Sequence, residues 1–423
     1  MRVKLRYGER FLSVELKDER VIFDLDIADH PSIQNVGERL KLELKKPYSS
    51  HPIPSIAGAE SKVALLVDDL TRPTPQRILL PVILGELEKA GVKSRNIKVI
   101  VALGTHRPMS SQEVEDRFGE VAEKYEVVNH DPEDSKKLTN IGATGKGFPI
   151  MVNRELWEAN LTIGVGNIVP HMYAGWAGGG KIVLPGVSGE QTTGGIHLLG
   201  GRIRPAYRFL GRVDHEVRRL IDGVALKSRL GYVVNTVLNR ERKVCGLTVG
   251  HPVEAFKRGV AFAEKIYRQT IPEPADLVIA SSYPADIDYW QAIKGVVSAS
   301  LAVKPEGVVF LVTPCPEGIS PTHRAMREYG AYGYEELNKM VEEGEIEDAV
   351  AAGTLLYHAQ LREKARIIVH SDGLKEKDAE ALGVSYAGDL EEGLELAKEF
   401  LGEKNPKIGL IRNSEVFPTL QPL

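Results

Sequence analysis

The feature that most constrains this fold is a series of short, continuous apolar runs separated by stretches with helical spacing. The runs occupy 63–67, 97–101, 161–165, 277–280, 308–312, 366–369 and Ile408–Ile411. Runs of this length, rich in β-branched residues and lacking polar alternation, read as parallel strands buried on both faces. Between them, 76–91 and 110–125 carry helical spacing, and Ser110 followed by Glu113 marks a helix start. The alternation predicts an α/β fold of two domains, each a mostly parallel sheet flanked by helices, with the active site in the cleft between them.

The stretch 267–275, with Ile271-Pro272-Glu273-Pro274 at its centre, follows a helical pattern and precedes a new strand. It divides the chain into 1–270, a catalytic and cofactor-binding domain, and 275–403, a second α/β domain. The last residues, 404–423, and Ile408–Ile411 in particular, are read as returning to the first domain. The 423 residues, 43% of them hydrophobic, provide cores large enough to need no covalent staple. Cys245 and Cys315 stand far apart with no CxxC spacing, which excludes a disulfide framework.

Lys and Arg total 54 against 58 Asp and Glu, a formal charge of −4, so the basic footprint of a nucleic-acid binder is missing. Any anionic ligand must then be held by local cations. No stretch approaches the ~20 apolar residues that cross a bilayer, and the first twenty residues alternate like a strand. The expectation is a cytoplasmic protein without a nucleic-acid or membrane partner; a homo-oligomer is left open.

Three of the runs end in polar clusters: Asp68-Asp69-Leu70-Thr71-Arg72-Pro73, Gly104-Thr105-His106-Arg107-Pro108 and Gly166-Asn167-Ile168-Val169-Pro170-His171. Open α/β sheets bind ligands beyond the carboxyl ends of their strands, so three tips carrying Arg, His and His point to one site. The glycine-rich segment after His171 contains Gly175 to Lys181 in the spacing GxxxxGK, the core of a phosphate-cradling loop. Ile182 stands where a magnesium-binding Ser or Thr belongs, and Pro185-Gly186 stops the helix such a loop needs. An ordinary nucleotide hydrolase is thereby disfavoured. Lys181 remains a phosphate clamp, a covalent anchor or a solvated lysine. His197 follows 16 residues later, with no HExxH and no Cys/His cluster around it. In the second domain, 283–295 should open a helix that puts Gln291 and Lys294 on one face.

Taken in order, these segments resemble the nickel-dependent lactate racemase family over essentially the whole chain. The carriers are the Asp68 and Gly104 clusters, Pro170-His171 through Lys181 to Leu184-Pro185-Gly186, His197, and Tyr289-Trp290-Gln291-Ala292-Ile293-Lys294-Gly295. The resemblance implies a nickel-pincer nucleotide, a pyridinium mononucleotide whose sulfur groups hold nickel, bound covalently through Lys181. It makes His197 the protein ligand to the metal, with Asp69, Thr71, Gly178 and Gly179 around the cofactor and dedicated maturation enzymes as partners. Arg72, Lys294, Gln291, Tyr173 and Trp290 would meet a small 2-hydroxy acid substrate. Trp290 stands where a lactate racemase of this family is expected to carry Tyr, and Gly180 replaces a basic residue, so the resemblance leaves lactate itself open and admits another 2-hydroxy acid, including a larger, aromatic or sugar-derived one.

The chemistry follows directly. The Cα–H of a 2-hydroxy acid is poorly acidic beside a carboxylate, and it leaves more easily as hydride while the hydroxyl loses its proton. Hydride return to the other face of the 2-oxo acid inverts the centre. One base per enantiomer is the simplest design, and His106 and His171 fit it. Two other readings use the same residues: Lys181 as a Schiff-base lysine for a pyridoxal-type cofactor, or a non-catalytic protein that holds an anion between domains.

Overall fold

In the computed structural model, residues 1–403 and 405–421 are described. All seven apolar runs are strands. The first sheet has the order Val244–Gly250, Tyr232–Leu238, Leu161–Asn167, Val63–Asp68, Ile97–Ala102, Glu126–Asn129. Its neighbours run parallel except for the first pair. The second sheet is parallel throughout, ordered Ser385–Tyr386, Arg366–His370, Val303–Val312, Ala275–Ser281, Ile408–Ile411, Val21–Leu25.

The continuous apolar runs have a simple cause. In Val63–Asp68, Val63, Leu65 and Val67 face one core while Ala64 and Leu66 face another. Side chains alternate along a strand, so a strand covered on both faces needs apolar residues at every position. The helix Gln76–Lys89 covers one face of the first sheet, with Leu79, Leu80 and Ile83 buried. The 110–125 segment is helical too, begun by a complete Ser110–Glu113 capping box and interrupted at Gly119. The second core also takes Val278, Ala280, Val309 and Leu311 of the second sheet, so one apolar mass joins both halves of the molecule.

The ends of the chain correct the sequence reading. Ile408–Ile411 does not return to the first sheet; fully buried, it fills the second sheet between Ala275–Ser281 and Val21–Leu25. Val21–Leu25, assigned by sequence to the first domain, is therefore an edge strand of the second. The Arg2–Tyr7 and Arg10–Glu15 hairpin packs Val3, Leu5 and Val14 onto that sheet. The reason is non-local: an edge of the second sheet offers pairing and apolar cover that the sequence pattern does not reveal. The 267–275 linker also contains a strand, Arg268–Ile271, paired with Phe417–Leu420. Of the terminal segment, 404 and 422–423 lie outside the described residues. Among the described residues, no helix is long and apolar enough to cross a membrane.

Candidate active site

The strands Leu161–Asn167, Val63–Asp68 and Ile97–Ala102 are consecutive neighbours in the first sheet, so their polar tips emerge side by side. Facing them is the helix Tyr289–Ser300 of the second half. Asp288 caps this helix by accepting from the Gln291 amide at 2.7 Å, which turns Gln291 and Lys294 towards the tips. A cavity of about 1020 Å³ lies between, and all thirteen residues named above for the site line it.

Asp68 and Asp69 are adjacent yet act differently. Asp68 turns into the protein, bound by Arg117 at 2.7 Å and Gln76 at 2.9 Å. Asp69 turns to the cavity and accepts from His106 Nδ1 at 2.6 Å through Oδ2, and from Thr71 Oγ1 at 2.6 Å through Oδ1. Burial works against its charge, but the pull of His106, then of Arg72, holds its carboxyl well below the ordinary range. The sequence reading groups Asp69 and Thr71 with the cofactor; here Asp69 holds His106, Thr71 donates to Asp69, and Arg72 donates to Thr71 Oγ1 at 2.8 Å.

His106 Nε2 accepts from Gln291 Nε2 at 3.1 Å, and Gln291 Oε1 accepts from Lys294 Nζ. Lysine only donates, so this chain fixes the amide orientation and makes His106 Nε2 a bare acceptor. His171 is held the opposite way. It lies in a two-residue pairing with Gly175–Trp176, and its Nδ1 accepts the amides of Tyr173 and Ala174 at 3.2 and 3.3 Å. Its remaining proton therefore sits on Nε2. Burial, then Lys181, Lys294 and Arg72, hold this imidazole well below its ordinary pKa.

Three cations share the cavity. Burial and then Arg72 bring Lys181 down to about 7, and burial, Arg72 and Lys181 push Lys294 well below its usual value. Such mutual depression marks a site built for anions, which relieve it on binding. His197 stands on the helix Glu190–Arg202, where four glycines weaken the helix and packing must hold it. The helix Ala349–Lys364 presses against it so closely that a Cβ on Gly353 would lie 2.3 Å from the His197 carbonyl carbon. His197 Nδ1 donates to the Thr193 carbonyl at 2.8 Å, leaving Nε2 as a free lone pair, and burial lowers its pKa to about 4. A neutral imidazole with Nδ1 anchored is the form that ligates metals. Tyr173 places its ring edge-to-face on His197, 5.0 Å between centroids, and donates its hydroxyl to Thr354 at 3.1 Å. It is a wall beside His197, with its polar tip already partnered.

The glycine-rich loop is a short 3-10 turn, Gly179–Ile182, with no long helix until Glu190. Gly178 and Gly179 adopt φ of 92° and 57°, which disfavour any side chain. The Gly179 amide donates to Asn235 at 3.1 Å instead of facing the cavity. A side chain at Gly180 has no room, since its Cβ would meet Ala225 at 2.9 Å. The basic group here comes from elsewhere: Arg218, 1% exposed, donates to the Trp176 and Gly178 carbonyls and pairs with Asp222. Sequence reasoning missed Arg218, which sits in an ordinary amphipathic helix. It also passed over Asn235, inside a strand the apolar runs did not flag, and Thr193. His323 escaped notice too; it stacks on Trp290 with centroids 4.2 Å apart.

Comparison with known proteins agrees with this architecture. The lactate racemase N-terminal domain family matches residues 7–205, and the lactate racemase C-terminal domain family matches 271–415. The lactate racemase of Thermoanaerobacterium thermosaccharolyticum is 28% identical over 417 residues, 97% of each chain. That of Lactiplantibacillus plantarum is 27% identical over 322 residues, 75% of each. The solved lactate racemase apoprotein from T. thermosaccharolyticum superposes with a TM-score of 0.87 at 26% identity, covering all of both chains. A Thermotoga maritima protein shares the fold at TM-score 0.72, 18% identity, over 93% of this chain and all of its own. Two domain families cover most of the chain in the order of its two sheets, and this protein belongs to the lactate racemase family of isomerases.

Proposed function

We propose that the protein inverts the C2 centre of a 2-hydroxy acid with a nickel-pincer nucleotide held by Lys181 and His197. The observation that carries this reading is the pairing of two differently held histidines with three basic side chains, Arg72, Lys181 and Lys294, around one cavity.

The residues fit such a group. Both amide atoms of Asn167, Asn235 Nδ2 and Thr193 Oγ1 are buried at the cavity with no partner among the described residues. Buried polar atoms rarely stay unpaired, so a polar ligand is the natural partner. His197 offers a bare Nε2, and no cluster of three His, Cys, Asp or Glu side chains able to hold a metal occurs among the described residues. A metal here therefore needs further donors from an organic cofactor, with soft and nitrogen ligands suiting square-planar nickel. Lys181, near neutrality in pKa, carries an uncharged amine for covalent attachment at modest pH. When bound, the cofactor supplies a two-electron hydride acceptor.

The chain's own residues supply the rest. Arg72 and Lys294 hold the substrate carboxylate, Arg72 through its planar fork. His106 Nε2 takes the hydroxyl proton of one enantiomer, while Asp69 fixes its tautomer and steadies the cation formed. Gln291 gives up its bond to His106 Nε2 as the hydroxyl arrives and turns its amide to the substrate. His171 serves the other enantiomer through Nε2 once the proton held there has moved to Nδ1, which first gives up the Tyr173 and Ala174 amides. A bound carboxylate offsets the Arg72 and Lys294 charges that depress His171, which raises its proton affinity when substrate is present. A pyridoxal-type cofactor or a simple anion-binding role would leave the bare Nε2 of His197 without use.

The test uses protein matured in a host that makes the cofactor. About one nickel per chain, an adduct mapping to Lys181, and loss of optical rotation with an enantiopure 2-hydroxy acid are expected. Absence of nickel and adduct, beside a matured control racemase from the same host, overturns the cofactor assignment.

A further inference from the structure

The cluster Gly104-Thr105-His106-Arg107-Pro108 contains a charged residue to which the mechanism above gives no task. Arg107 directly follows the base His106, and its guanidinium is divided between the two halves of the molecule. Nη1 and Nη2 donate to Oε2 and Oε1 of Glu113, at 2.9 and 2.8 Å. Nη2 and Nε also donate to Oε1 of Glu317 in the second half, at 3.1 and 3.3 Å. A lysine has no such fork and cannot hold two carboxylates in fixed directions.

Both ends of this bridge are anchored. Glu113 is the capping-box partner of Ser110 and accepts that residue's amide at 2.8 Å. Glu317 belongs to the segment after the strand Val303–Val312, and backbone bonds stitch this segment to the start of the helix Tyr289–Ser300. The Glu317 amide donates to the Ile287 carbonyl at 2.9 Å, and the Tyr289 and Trp290 amides donate to the Gly318 and Ile319 carbonyls at 2.9 and 3.0 Å. A shift of Glu317 is thus passed to the helix that carries Gln291 and Lys294. On the other side of His106, Thr105 Oγ1 meets His323 Nε2 of the second half at 3.2 Å. Residues 105, 106 and 107 therefore each bond the opposite half, with His106 in the middle bonded to Gln291.

The reaction gives this spacing a purpose. The hydroxyl and carboxylate of a 2-hydroxy acid sit on adjacent carbons, so His106 of one half and Lys294 of the other must keep one separation to engage both. Resting on the racemase reading, we infer that Arg107 is a positioning residue: by bridging Glu113 and Glu317 it sets the separation between His106 and the helix bearing Gln291 and Lys294. The fold does not depend on this bridge. The Arg107 and Glu317 side chains are 35% and 29% exposed, and ion pairs so placed add little stability. Its value is geometric, since a displacement of about 1 Å at a reacting group costs up to about 10²-fold in rate.

The experiment compares matured holoenzyme as wild type, Arg107→Met, Glu317→Gln and, as a matched control, Lys98→Met. Lys98 likewise joins two carboxylates, Glu155 at 2.8 Å and Glu126 at 3.3 Å, but within the first half alone. Kinetics use whichever enantiopure acid, lactate, malate or mandelate, the wild type inverts fastest, and hydrogen–deuterium exchange reads segments 104–108 and 286–291. Arg107→Met and Glu317→Gln should each lose about tenfold or more in kcat while KM stays within about twofold. Both should keep the nickel content of the wild type and exchange faster in both segments, and Lys98→Met should show none of these changes.

A purely electrostatic role predicts a different split. Glu317→Gln removes a negative charge near an anion site, so it would lower KM and leave kcat unchanged, and that result overturns the inference. So does a kcat loss no greater than that of Lys98→Met, or faster exchange confined to 104–108. With no 2-hydroxy acid inverted by the wild type, the racemase reading is what fails. The exchange data then decide alone: faster exchange in both segments upholds the bridge, and faster exchange at 104–108 only overturns it.

Discussion

His106 and His171 meet the same cavity from opposite tautomers: His106 donates from Nδ1 to Asp69 at 2.6 Å, whereas His171 Nδ1 accepts two backbone amides. His106 is therefore a ready base at Nε2. His171 must lose its Nε2 proton and take one at Nδ1, against the Tyr173 and Ala174 amides, before it serves as one. Enantiomers are equal in energy, so kcat/KM must be the same in both directions of a racemisation, but kcat and KM are free to differ. We expect kcat for the two pure enantiomers of the preferred substrate to differ by about tenfold, ~1.4 kcal/mol in barrier. Initial rates from each enantiomer measure this directly, and equal kcat values would remove any kinetic weight from the tautomer difference.

Asp69→Asn keeps the shape of the Asp69–His106 contact but removes its charge. The imidazolium formed on proton transfer is then unsupported, and the tautomer is no longer fixed. A loss of about 10²–10⁴ in kcat is expected, by analogy with buried carboxylates that orient a catalytic histidine. Nickel content should stay unchanged, so metal analysis beside the kinetics separates this outcome from a collapsed site.

The lowered pKa of Lys181 has a chemical signature. Its folded value of about 7 lies below the ordinary lysine value, so above that pH the amine is mostly uncharged while surface lysines remain protonated. In cofactor-free protein, acetylation of Lys181, read by peptide mass spectrometry, should rise through pH 7 and level off by about pH 8–9. Arg72→Met removes the largest neighbouring charge and should move the midpoint upward. The sign for stability follows from the same shift. Between the folded and unfolded values the unfolded chain binds more protons, so this group's contribution to stability rises with pH across that window.

His197→Ala should abolish nickel retention in matured protein, because the bare Nε2 is removed. His106→Ala and His171→Ala should instead retain metal and lose turnover. Nickel at wild-type occupancy in the His197 variant, measured by elemental analysis after gel filtration, would reject that residue as ligand.

The helix that carries His197 depends on a crossing with almost no spare space. Gly353→Ala would put a Cβ 2.3 Å from the His197 carbonyl carbon, which is backbone and cannot swing away. A destabilisation of about 1–3 kcal/mol is expected, read as a lower denaturation midpoint, together with weaker metal retention. A neighbouring exposed change, such as Glu363→Ala, controls for general effects on that helix.

Much of this architecture was legible in the chain itself. Strands buried on both faces must be apolar at every position, so seven runs announced seven strands, and a capping box announced the 110–125 helix. The polar clusters after 63–67, 97–101 and 161–165 were legible as tips because parallel strands end on one side, and the sheet does set those three strands side by side. Local pattern also put Gln291 and Lys294 on one helical face. Tertiary structure alone decided the rest. Which sheet takes Ile408–Ile411 depends on a pairing edge built partly from Val21–Leu25, nearly 400 positions away, and no local signal encodes that choice. The tautomers of His106, His171 and His197 come from partners such as Asp69, the Tyr173 amide and the Thr193 carbonyl, fixed only by the folded geometry. Arg218 and His323 look in sequence like any helix or loop residue and gain their places through contacts with Gly178 and Trp290. Periodicity and tip chemistry are properties of short segments and survive in the sequence; proton placement, sheet membership and cavity shape arise from contacts between distant segments, and only the fold supplies them.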